Sequence, residues 1–309
     1  MALYNDLSEL IGNTPLLALH KIDDKYALKG KLFAKLECFN PASSAKDRIA
    51  LSMIEAAEKE GVLSPGATII EPTSGNTGIG IAAIGASRGY RVIIVMPDTM
   101  SLERQMLMRA YGAEVVLTQG ALGMRGAIEK AEALAREITN AFIHNQFDNP
   151  ANPLAHYETT GKEIWNDLHG KIDVLVAGLG TGGTVSGCAR FLKQKNPAIL
   201  VVGVEPEKSP LLTKGMAGAH GIQGIGANFI PKNLARDLLD EVLTVTEEDA
   251  YACARAMARN EGVLVGISAG AALSAAICLA KKEDFCDKNI VVILPDSGER
   301  YLSTALFDD

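Results

Sequence analysis

The chain has 309 residues with a formal net charge of −7, and 48% of its residues are hydrophobic. This length allows about two domains with large cores, whereas the negative charge argues against a nucleic-acid backbone as partner. No apolar run reaches the roughly 18 residues that a membrane span needs. The N-terminus, MALYNDLSEL, lacks the basic and apolar regions of a signal peptide, so we expect a cytoplasmic protein.

The five cysteines and five histidines form no recognisable disulfide or metal pattern. The number of cysteines is odd, no pair has the C-x-x-C spacing, and no two histidines fit H-E-x-x-H. We therefore expect neither a disulfide framework nor a structural metal site.

A lysine stands where a helix is predicted to begin, in the stretch NPASSAKDRIALSMI, residues 40–54. At a helix start the ammonium of Lys46 meets the positive end of the dipole and loses hydration, and both effects favour the neutral amine. A neutral lysine amine is a nucleophile toward carbonyls and forms Schiff bases, notably with pyridoxal phosphate. The alternative is an ordinary exposed lysine near a helix end, which is the default for any single lysine.

From about residue 67 the sequence alternates short β-rich runs with longer helical patterns. Buried strands are predicted at ATIIEP (67–72), RVIIVMP (91–97), KIDVLVAG (171–178), AILVVGVEP (198–206) and NIVVILP (289–295). Continuous apolar strands joined by helices indicate parallel sheets covered on both faces, and hence an α/β fold. Asn and Pro cluster in NQFDNPANP (145–153), which predicts a domain boundary there.

Two glycine-rich loops follow predicted strands, at the sheet edge where ligands collect in parallel sheets. TSGNTG (73–78) offers the side chains of Thr73, Ser74 and Asn76, and GTGGT (180–184) offers Thr181 and Thr184. Each loop leads into a helix whose first N–H groups are unpaired, so each is a candidate anion cradle. The alternative is a pair of tight turns with Ser and Thr caps.

The second loop also fits a rival hypothesis, an oxidoreductase that uses a nicotinamide or flavin dinucleotide. GLGTGG matches G-x-G-x-x-G at Gly178, Gly180 and Gly183, and Glu205 ends the next strand, about where a dinucleotide-binding fold places its ribose-binding acid. This hypothesis assigns no role to Lys46 or to TSGNTG. The two threonine hydroxyls of the loop also suit a terminal phosphate better than a closely packed pyrophosphate.

A pyridoxal enzyme needs a partner for the ring nitrogen of its cofactor. The candidate is Ser268 in GISAGAA (266–272), where small neighbours allow a flat ring to approach. A hydroxyl donates a hydrogen bond without giving up its proton, so a carbanion would be stabilised only modestly. This favours loss of a β-leaving group over transamination. The alternative is a Gly/Ser/Ala helix start that is packed tightly on its neighbours.

An ordered set of motifs resembles the cysteine synthase (O-acetylserine sulfhydrylase) family of pyridoxal-phosphate enzymes. The motifs are NPASSAKDR, EPTSGNTGIG, MSLERQMLMRAYGAEVVLT, NQFDNPANPLAHYETTGKEIW, GTGGT, HGIQGIGANFIP, GISAGAA and LPDSGERYLST, within a match from IGNTPL (11–16) to RYLSTALF (300–307). The resemblance implies fold type II, with two domains, each a mostly parallel twisted sheet covered by helices, and the cofactor in the cleft between them. Residues 40–150 would form the smaller domain, with Lys46 and the substrate-carboxylate loop. Residues 1–39 and 151–309 would form the larger domain, with the phosphate loop and Ser268.

The resemblance also implies a reaction and a role for each matched residue. Acetate would leave O-acetyl-L-serine to give an aminoacrylate, and sulfide would add to form L-cysteine. Lys46 would hold pyridoxal 5′-phosphate as a Schiff base and abstract the α-proton, Asn76 would bond the ring hydroxyl oxygen, and Ser268 would face the pyridine nitrogen. Two further sets would bind anions: Gly180, Thr181, Gly182, Gly183 and Thr184 the phosphate, and Thr73, Ser74, Gly75, Thr77 and Gln146 the substrate carboxylate.

The family resemblance extends to assembly and to closure of the site. Such enzymes are homodimers whose small domain closes on the substrate carboxylate, which excludes water from a reactive intermediate. They characteristically dock a peptide tail of serine acetyltransferase. A homodimer is therefore expected, and serine acetyltransferase is a candidate partner.

Asn228 departs from the family pattern, since cysteine synthases commonly have glycine there; Ser43 and Ala45 are smaller departures. Its amide could reach the incoming nucleophile or narrow the entrance, or Asn228 could be a neutral substitute for glycine, because Asn tolerates left-handed backbone angles. The departure leaves the second substrate open: sulfide, another thiol or water. Cystathionine β-synthase and cysteine β-lyases are the nearest alternatives, and a binding protein without catalysis is a further one.

Overall fold

The computed structural model describes residues 3–73 and 75–308. Over these residues the strands are β1 (Leu16–Ala18), β2 (Lys31–Leu36), β3 (Thr68–Pro72), β4 (Arg91–Pro97), β5 (Glu114–Thr118), β6 (Ala141–Ile143), β7 (Val174–Gly178), β8 (Leu200–Pro206), β9 (Glu241–Val245) and β10 (Asn289–Leu294). The α-helices are α1 (His20–Tyr26), α2 (Lys46–Lys59), α3 (Asn76–Arg88), α4 (Leu102–Ala110), α5 (Gly123–Glu137), α6 (Ala151–Glu158), α7 (Thr160–Asp167), α8 (Gly183–Lys195), α9 (Leu211–Lys214), α10 (Glu247–Ala256) and α11 (Ile267–Ala280). Short 3₁₀ helices lie at Leu7–Leu10, Glu37–Phe39, Gly120–Leu122, Arg236–Leu238, Glu283–Phe285 and Gly298–Tyr301, and α10 continues into a π-helical turn, Met257–Glu261.

The strands form two sheets. The larger sheet has the order β1-β2-β10-β7-β8-β9, and the smaller one has the order β5-β4-β3-β6. Every neighbouring pair is parallel except β1 and β2. In the register of the smaller sheet, Ile70 lies opposite Ile93 on one side and Ile143 on the other. The predicted α/β class with mostly parallel sheets is confirmed.

Helices cover both faces of each sheet, because successive apolar side chains point to opposite faces of a strand. In the larger sheet, Val176 belongs to the core beneath α11, and its neighbour Leu175 belongs to the core beneath α8. In the smaller sheet, Ile69 packs with residues of α2 and α3, and Ile70 packs with residues of α5. Four buried layers result, and they fix the ends of the parallel strands on which the loops stand.

The predicted strands agree with the observed ones to within a few residues. β4 has the predicted bounds, whereas β7 begins at Val174 rather than at Lys171. The reason is a turn after α7, in which His169 and Gly170 both have positive φ angles, 51° and 75°. These two residues delay the start of the extended chain.

The smaller sheet is formed by one continuous part of the chain, whereas the larger sheet combines strands from before and after it. The smaller sheet consists of strands between residues 68 and 143, whereas the N-terminal strand β2 pairs in parallel with the C-terminal strand β10. The division into rigid domains at residues 40–150 stays a prediction, because sheet membership alone does not define rigid units. No helix within the described ranges is long and apolar enough to cross a membrane.

Candidate active site

Four helices begin around one cavity of about 360 Å³ between the two sheets. They start at Lys46 (α2), Asn76 (α3), Gly183 (α8) and Ile267 (α11). The positive ends of helix dipoles favour negative charge, so the cavity suits an anionic ligand. Its volume lies within the range of small-molecule sites, roughly 300–1,000 Å³.

The cavity brings together most of the residues that the sequence predicts as a site. They are Lys46, Thr73, Gly75, Asn76, Thr77, Gln146, Gly180, Thr181, Gly182, Thr184, Asn228 and Ser268. Gly183 does not line the cavity. It packs against the side chain of Asn152 instead. Ser74 lies outside the described residues.

Lys46 is the first residue of α2, as the sequence predicts, and its partly buried side chain lines the cavity. Burial lowers the pKa of this amine to about 8, and the negative charge of Asp296 opposes that shift. A much larger fraction of the amine is therefore neutral near neutral pH than for a lysine that titrates near 10.5. Lys46 can act as a nucleophile or as a base.

The glycines of the loop 180–184 have no room for a side chain. A Cβ on Gly180 would lie 2.5 Å from the carbonyl oxygen of Gly224, and one on Gly183 would lie 1.8 Å from Oδ1 of Asn152. Gly182 has a φ of +81°, and a Cβ there would lie 2.7 Å from Cβ of Leu234. The loop is therefore a close-packed turn at the start of α8, and Gly180, Thr181, Gly182 and Thr184 line the cavity.

Helix α6 holds the two threonines of this loop. Nδ2 of Asn152 donates to Oγ1 of Thr181 at 3.0 Å and to the carbonyl oxygen of Gln146 at 2.8 Å. Oγ1 of Thr184 lies 3.0 Å from Nε2 of His156, whose Nδ1 lies 2.9 Å from Oγ1 of Thr160. Burial lowers the pKa of His156 to about 3, so the ring is neutral and offers one donor and one acceptor.

Asn152 and His156 are site residues that the sequence analysis missed. They are four residues apart on α6 and therefore lie on one face of that helix. The only signal for them was their place within the motif NQFDNPANPLAHYETTGKEIW. Nothing in the spacing indicated which loop they would contact.

The loop after β3 forms a second polar corner of the cavity. Oγ1 of Thr77 donates to Oε1 of Gln146 at 2.6 Å, and Nε2 of Gln146 donates to Oγ1 of Thr73 at 3.3 Å. The N–H of Gly75 also donates to Thr73 Oγ1, at 3.3 Å. An added Cβ on Gly75 would meet no heavy atom within 4 Å, so this corner is open.

Ser268 and Asn76 lie at the starts of α11 and α3 and line the same cavity. Ser268 is buried, and the nearest atom that a Cβ on Gly224 would meet is its Oγ, at 3.1 Å. The amide of Asn76 donates to Asp296 and accepts from Arg300. Both side chains therefore have fixed positions at the wall of the cavity.

Asn228 is exposed at the cavity mouth and has a φ of +62°. Its Oδ1 accepts a hydrogen bond from Oγ of Ser209 at 2.8 Å. The left-handed backbone is the conformation in which Asn most readily replaces glycine. This geometry supports the neutral interpretation of the departure at Asn228.

The dinucleotide hypothesis fails at Glu205. Its carboxylate is buried and accepts hydrogen bonds from the backbone N–H groups of Leu212 and Thr213, at 2.9 and 3.0 Å, and from the Thr213 hydroxyl at 2.6 Å. These bonds hold the start of α9. Both carboxylate oxygens of Glu205 therefore already accept hydrogen bonds from α9, and the side chain is not available to bind a ribose.

The polar groups of the cavity fit pyridoxal 5′-phosphate. A close-packed glycine turn at a helix N-terminus suits the phosphate, and an amine with a lowered pKa suits the aldehyde. The hydroxyl of Ser268 and the amide of Asn76 suit the two polar positions of the ring. The donor set and the cavity volume thus agree with this cofactor.

Comparisons with known proteins point the same way. The family model described as pyridoxal-phosphate dependent enzyme matches residues 7–296. Cysteine synthase A of Salmonella typhi and of Escherichia coli (strain K12) are each 50% identical to the chain over 316 aligned residues, which cover 99% of this chain and 96% of theirs.

Two solved structures are also close to the present one. A cysteine synthase from Entamoeba histolytica has a TM-score of 0.96 at 46% identity and covers 100% of this chain and 92% of its own. A hydrogen sulfide-producing enzyme from Fusobacterium nucleatum has a TM-score of 0.94 at 50% identity, with 97% and 100% of the two chains covered.

Proposed function

The chain belongs to the pyridoxal-phosphate dependent enzyme family, and from this premise we propose that it is a cysteine synthase. It forms L-cysteine from O-acetyl-L-serine and sulfide by replacing the substituent on the β-carbon. The observation that carries this proposal is one cavity that holds both the Lys46 amine and the close-packed glycine loop 180–184. An amine aimed at an aldehyde and a cradle for a phosphate are the two groups that this cofactor requires.

Pyridoxal phosphate, when bound, supplies an electron sink joined to the substrate nitrogen. The residues of the chain supply the rest of the chemistry. Lys46, once free as a neutral amine, takes the proton from the α-carbon of the substrate. Ser268, which lines the cavity, would donate a hydrogen bond to the ring nitrogen without giving up its proton, and this would favour loss of acetate from the β-carbon.

The corner around Thr73 binds the substrate carboxylate. The hydroxyls of Thr73 and Thr77, the amide of Gln146 and the N–H of Gly75 already bond one another there. A carboxylate can replace these internal bonds as the acceptor, at the positive end of α3. Such binding fixes the α-carbon next to Lys46 and shields the reacting atoms from water.

The proposal is tested by following cysteine formation from O-acetylserine and sulfide with the wild-type protein. Lys46→Ala should lower turnover by about 10²-fold or more, because the base is lost. Lys59→Ala is the matched control, since Lys59 is an exposed lysine at the other end of the same helix. Full activity of Lys46→Ala would refute the assignment of the base.

Reduction with borohydride should attach the cofactor to Lys46 in a form that mass spectrometry detects.

The nearest alternative is release of sulfide from cysteine, because the similar chain from Fusobacterium nucleatum is described as a hydrogen sulfide-producing enzyme. Offering cysteine and O-acetylserine separately, each with sulfide, another thiol or water as second reactant, distinguishes the two. We expect synthesis to be the faster reaction. Asn228→Gly should change neither rate by more than about twofold, because the backbone at this position is already left-handed.

Assembly and location complete the proposal. A homodimer is supported by exposed apolar side chains on and beside α4, namely Leu102, Met106 and Leu302. Sedimentation of the wild-type protein and of Met106→Glu tests this. A cytoplasmic location and docking of a serine acetyltransferase tail are proposed from the family likeness, and a peptide-binding titration tests the docking.

A further inference from the structure

Asp296 is a buried carboxylate beside the cavity to which the reaction described above gives no role. It is 1% exposed and follows β10. Its Oδ2 accepts hydrogen bonds from Oη of Tyr301 at 2.6 Å and from Nδ2 of Asn76 at 2.8 Å. Its Oδ1 is also buried and has no partner among residues 3–73 and 75–308. A buried charge that is only partly satisfied calls for an explanation.

The backbone around Asp296 ties together helix starts that surround the cavity. The N–H of Ala45, just before α2, donates to the carbonyl oxygen of Pro295 at 2.8 Å. The N–H of Gly266, just before α11, donates to the carbonyl oxygen of Asp296 at 3.2 Å. The Asp296 side chain reaches the start of α3 through Asn76. The carboxylate is therefore held close to the starts of the helices that carry Lys46, Asn76 and Ser268.

The contacts of Asn76 leave one orientation for its amide. Nη1 of Arg300 donates to Oδ1 of Asn76 at 2.6 Å, while Nδ2 donates to the Asp296 carboxylate. A guanidinium cannot accept and a carboxylate cannot donate, so a flipped amide would lose both bonds. The second hydrogen of Nδ2 has no acceptor within the described ranges, and Asn76 lines the cavity.

We propose that Asp296 is a positioning residue of the reaction: it fixes the amide of Asn76 so that the free N–H meets the ring of the cofactor, and it is the counter-charge of the Lys46 nitrogen. The inference rests on the proposed function. It divides the role of Asp296 into an orienting part, which acts through Asn76, and an electrostatic part, which acts on Lys46. Tyr301 belongs to the orienting part, because its hydroxyl holds the same carboxylate oxygen.

The electrostatic part depends on all the groups that surround Asp296 and Lys46. These are Cys38, Asp47 of α2, Arg104 of α4, His156 of α6, Arg300 and Tyr301. Asp296 is the negative group that opposes the lowering of the Lys46 pKa by burial. His156 is neutral, and Nη2 of Arg104 bonds the Tyr301 hydroxyl at 3.0 Å. Removal of the Asp296 charge therefore disfavours a proton on the Lys46 nitrogen.

Asp296→Asn and Tyr301→Phe separate the two parts. The signal is the visible absorption band of the cofactor attached to Lys46, whose loss at high pH marks loss of the proton from that nitrogen. In Asp296→Asn an oxygen acceptor remains but the charge is gone, so the midpoint of this loss should fall by about one pH unit. Tyr301→Phe keeps the charge and loosens the carboxylate. The midpoint should then stay in place, while affinity of the cofactor-free protein for pyridoxal phosphate falls about fivefold.

Glu205→Gln is the matched control, because Glu205 is also a buried carboxylate at the carboxyl end of a strand in the larger sheet but holds α9 instead. It should move neither the midpoint nor the affinity. A midpoint in Asp296→Asn equal to that of the wild type overturns the counter-charge, and wild-type affinity in Tyr301→Phe overturns the orientation. If Asp296→Asn does not fold, Tyr301→Phe alone still decides the orienting part.

Failure of the proposed function gives a different result. A wild-type protein that takes up the cofactor but makes no cysteine contradicts the synthase assignment, while the band titration of Asp296→Asn still tests the role of Asp296. Normal cysteine formation together with unchanged titration and affinity in both variants contradicts only the inference about Asp296.

Discussion

The two glycine-rich loops of the cavity, each proposed to bind an anion, look alike in sequence but differ in how they are packed. In the loop 180–184, a Cβ on Gly180, Gly182 or Gly183 would come within 1.8 to 2.7 Å of a neighbouring atom. In the loop 73–78, a Cβ on Gly78 would lie 2.8 Å from Cε of Met108, but one on Gly75, which lines the cavity, would meet nothing within 4 Å. The first loop is supported from behind by α6, whereas in the second Thr73 and Thr77 bond to Gln146, and Asn76 bonds to Asp296 and Arg300.

This difference matches the ligands that the two loops are proposed to hold. A cofactor stays bound through many turnovers, so its site gains affinity from being formed in advance. A substrate must enter and leave in each turnover, and a loop with free space around it can rearrange. Similar Gly/Thr composition therefore serves two different tasks, and the packing behind the loop separates them.

Of the substitutions that test this difference, Gly183→Ala should have the largest effect on cofactor affinity. The added methyl group would lie 1.8 Å from Oδ1 of Asn152, whose Nδ2 also holds Thr181. Overpacking of this kind costs about 1–3 kcal/mol, so affinity for pyridoxal phosphate should fall by about 5- to 150-fold. Fluorescence titration of the cofactor-free protein measures the loss. If Gly183→Ala bound pyridoxal phosphate as tightly as the wild type, the loop would be able to accommodate the methyl group, and the prediction would be wrong.

The next prediction concerns the pH dependence of the Lys46 amine, which lines the same cavity as both loops. Because its pKa is lowered to about 8, the neutral amine should predominate above that pH and disappear below it. The rate of reductive methylation at Lys46 in the cofactor-free protein should therefore reach half its maximum near pH 8. A lysine in a short peptide, with a pKa near 10.5, is the control. A half-maximum near 10.5 for Lys46, read by mass spectrometry, would contradict this prediction.

Thr184→Val and Thr77→Val form a matched pair, one in each loop. The first leaves Nε2 of the buried His156 without its partner and should weaken cofactor binding about tenfold. The second leaves Oε1 of Gln146 without its donor and should raise KM for O-acetylserine by about tenfold, with cofactor affinity unchanged. If both variants changed the same constant, the division of labour between the loops would be wrong.

Gly75→Ala should have the smallest effect. The φ of −147° lies outside the left-handed region that favours glycine, and the methyl group would enter free space. Affinity for the cofactor should stay within about twofold of the wild type, whereas KM for O-acetylserine rises modestly because the methyl group shares the space of the carboxylate. A loss of cofactor affinity as large as that of Gly183→Ala would remove the contrast between the loops.

Local patterns were sufficient to predict five of the ten described strands, the start of α2 and the two glycine loops. The strand RVIIVMP, the helix start at Lys46 and the glycine loop at 180–184 depend on neighbours in the chain, and the structure has them where the sequence predicts them. The resemblance to cysteine synthases is confirmed by relatives that are about half identical over almost the whole chain. The roles of the individual site residues stay predictions until they are measured.

Residues behind the cavity wall could not be predicted from spacing. Asn152 contacts Thr181 across 29 positions and Asn76 contacts Asp296 across 220, so no local pattern joins them. The rival dinucleotide motif shows the opposite error. Its spacing was right, but only the fold reveals that Glu205 already bonds the start of α9.

One nitrogen atom, Nδ2 of Asn152, touches both halves of the site. It donates to Thr181 in the loop proposed to bind the phosphate and to the main chain of Gln146 in the corner proposed to bind the substrate. If the proposed roles hold, a shift of the Thr181 hydroxyl on phosphate binding also moves the Asn152 amide and, through it, the segment around Gln146. Binding of the cofactor phosphate should therefore change the geometry of the substrate corner. We expect the cofactor-free protein to bind the substrate carboxylate less tightly than the protein with cofactor.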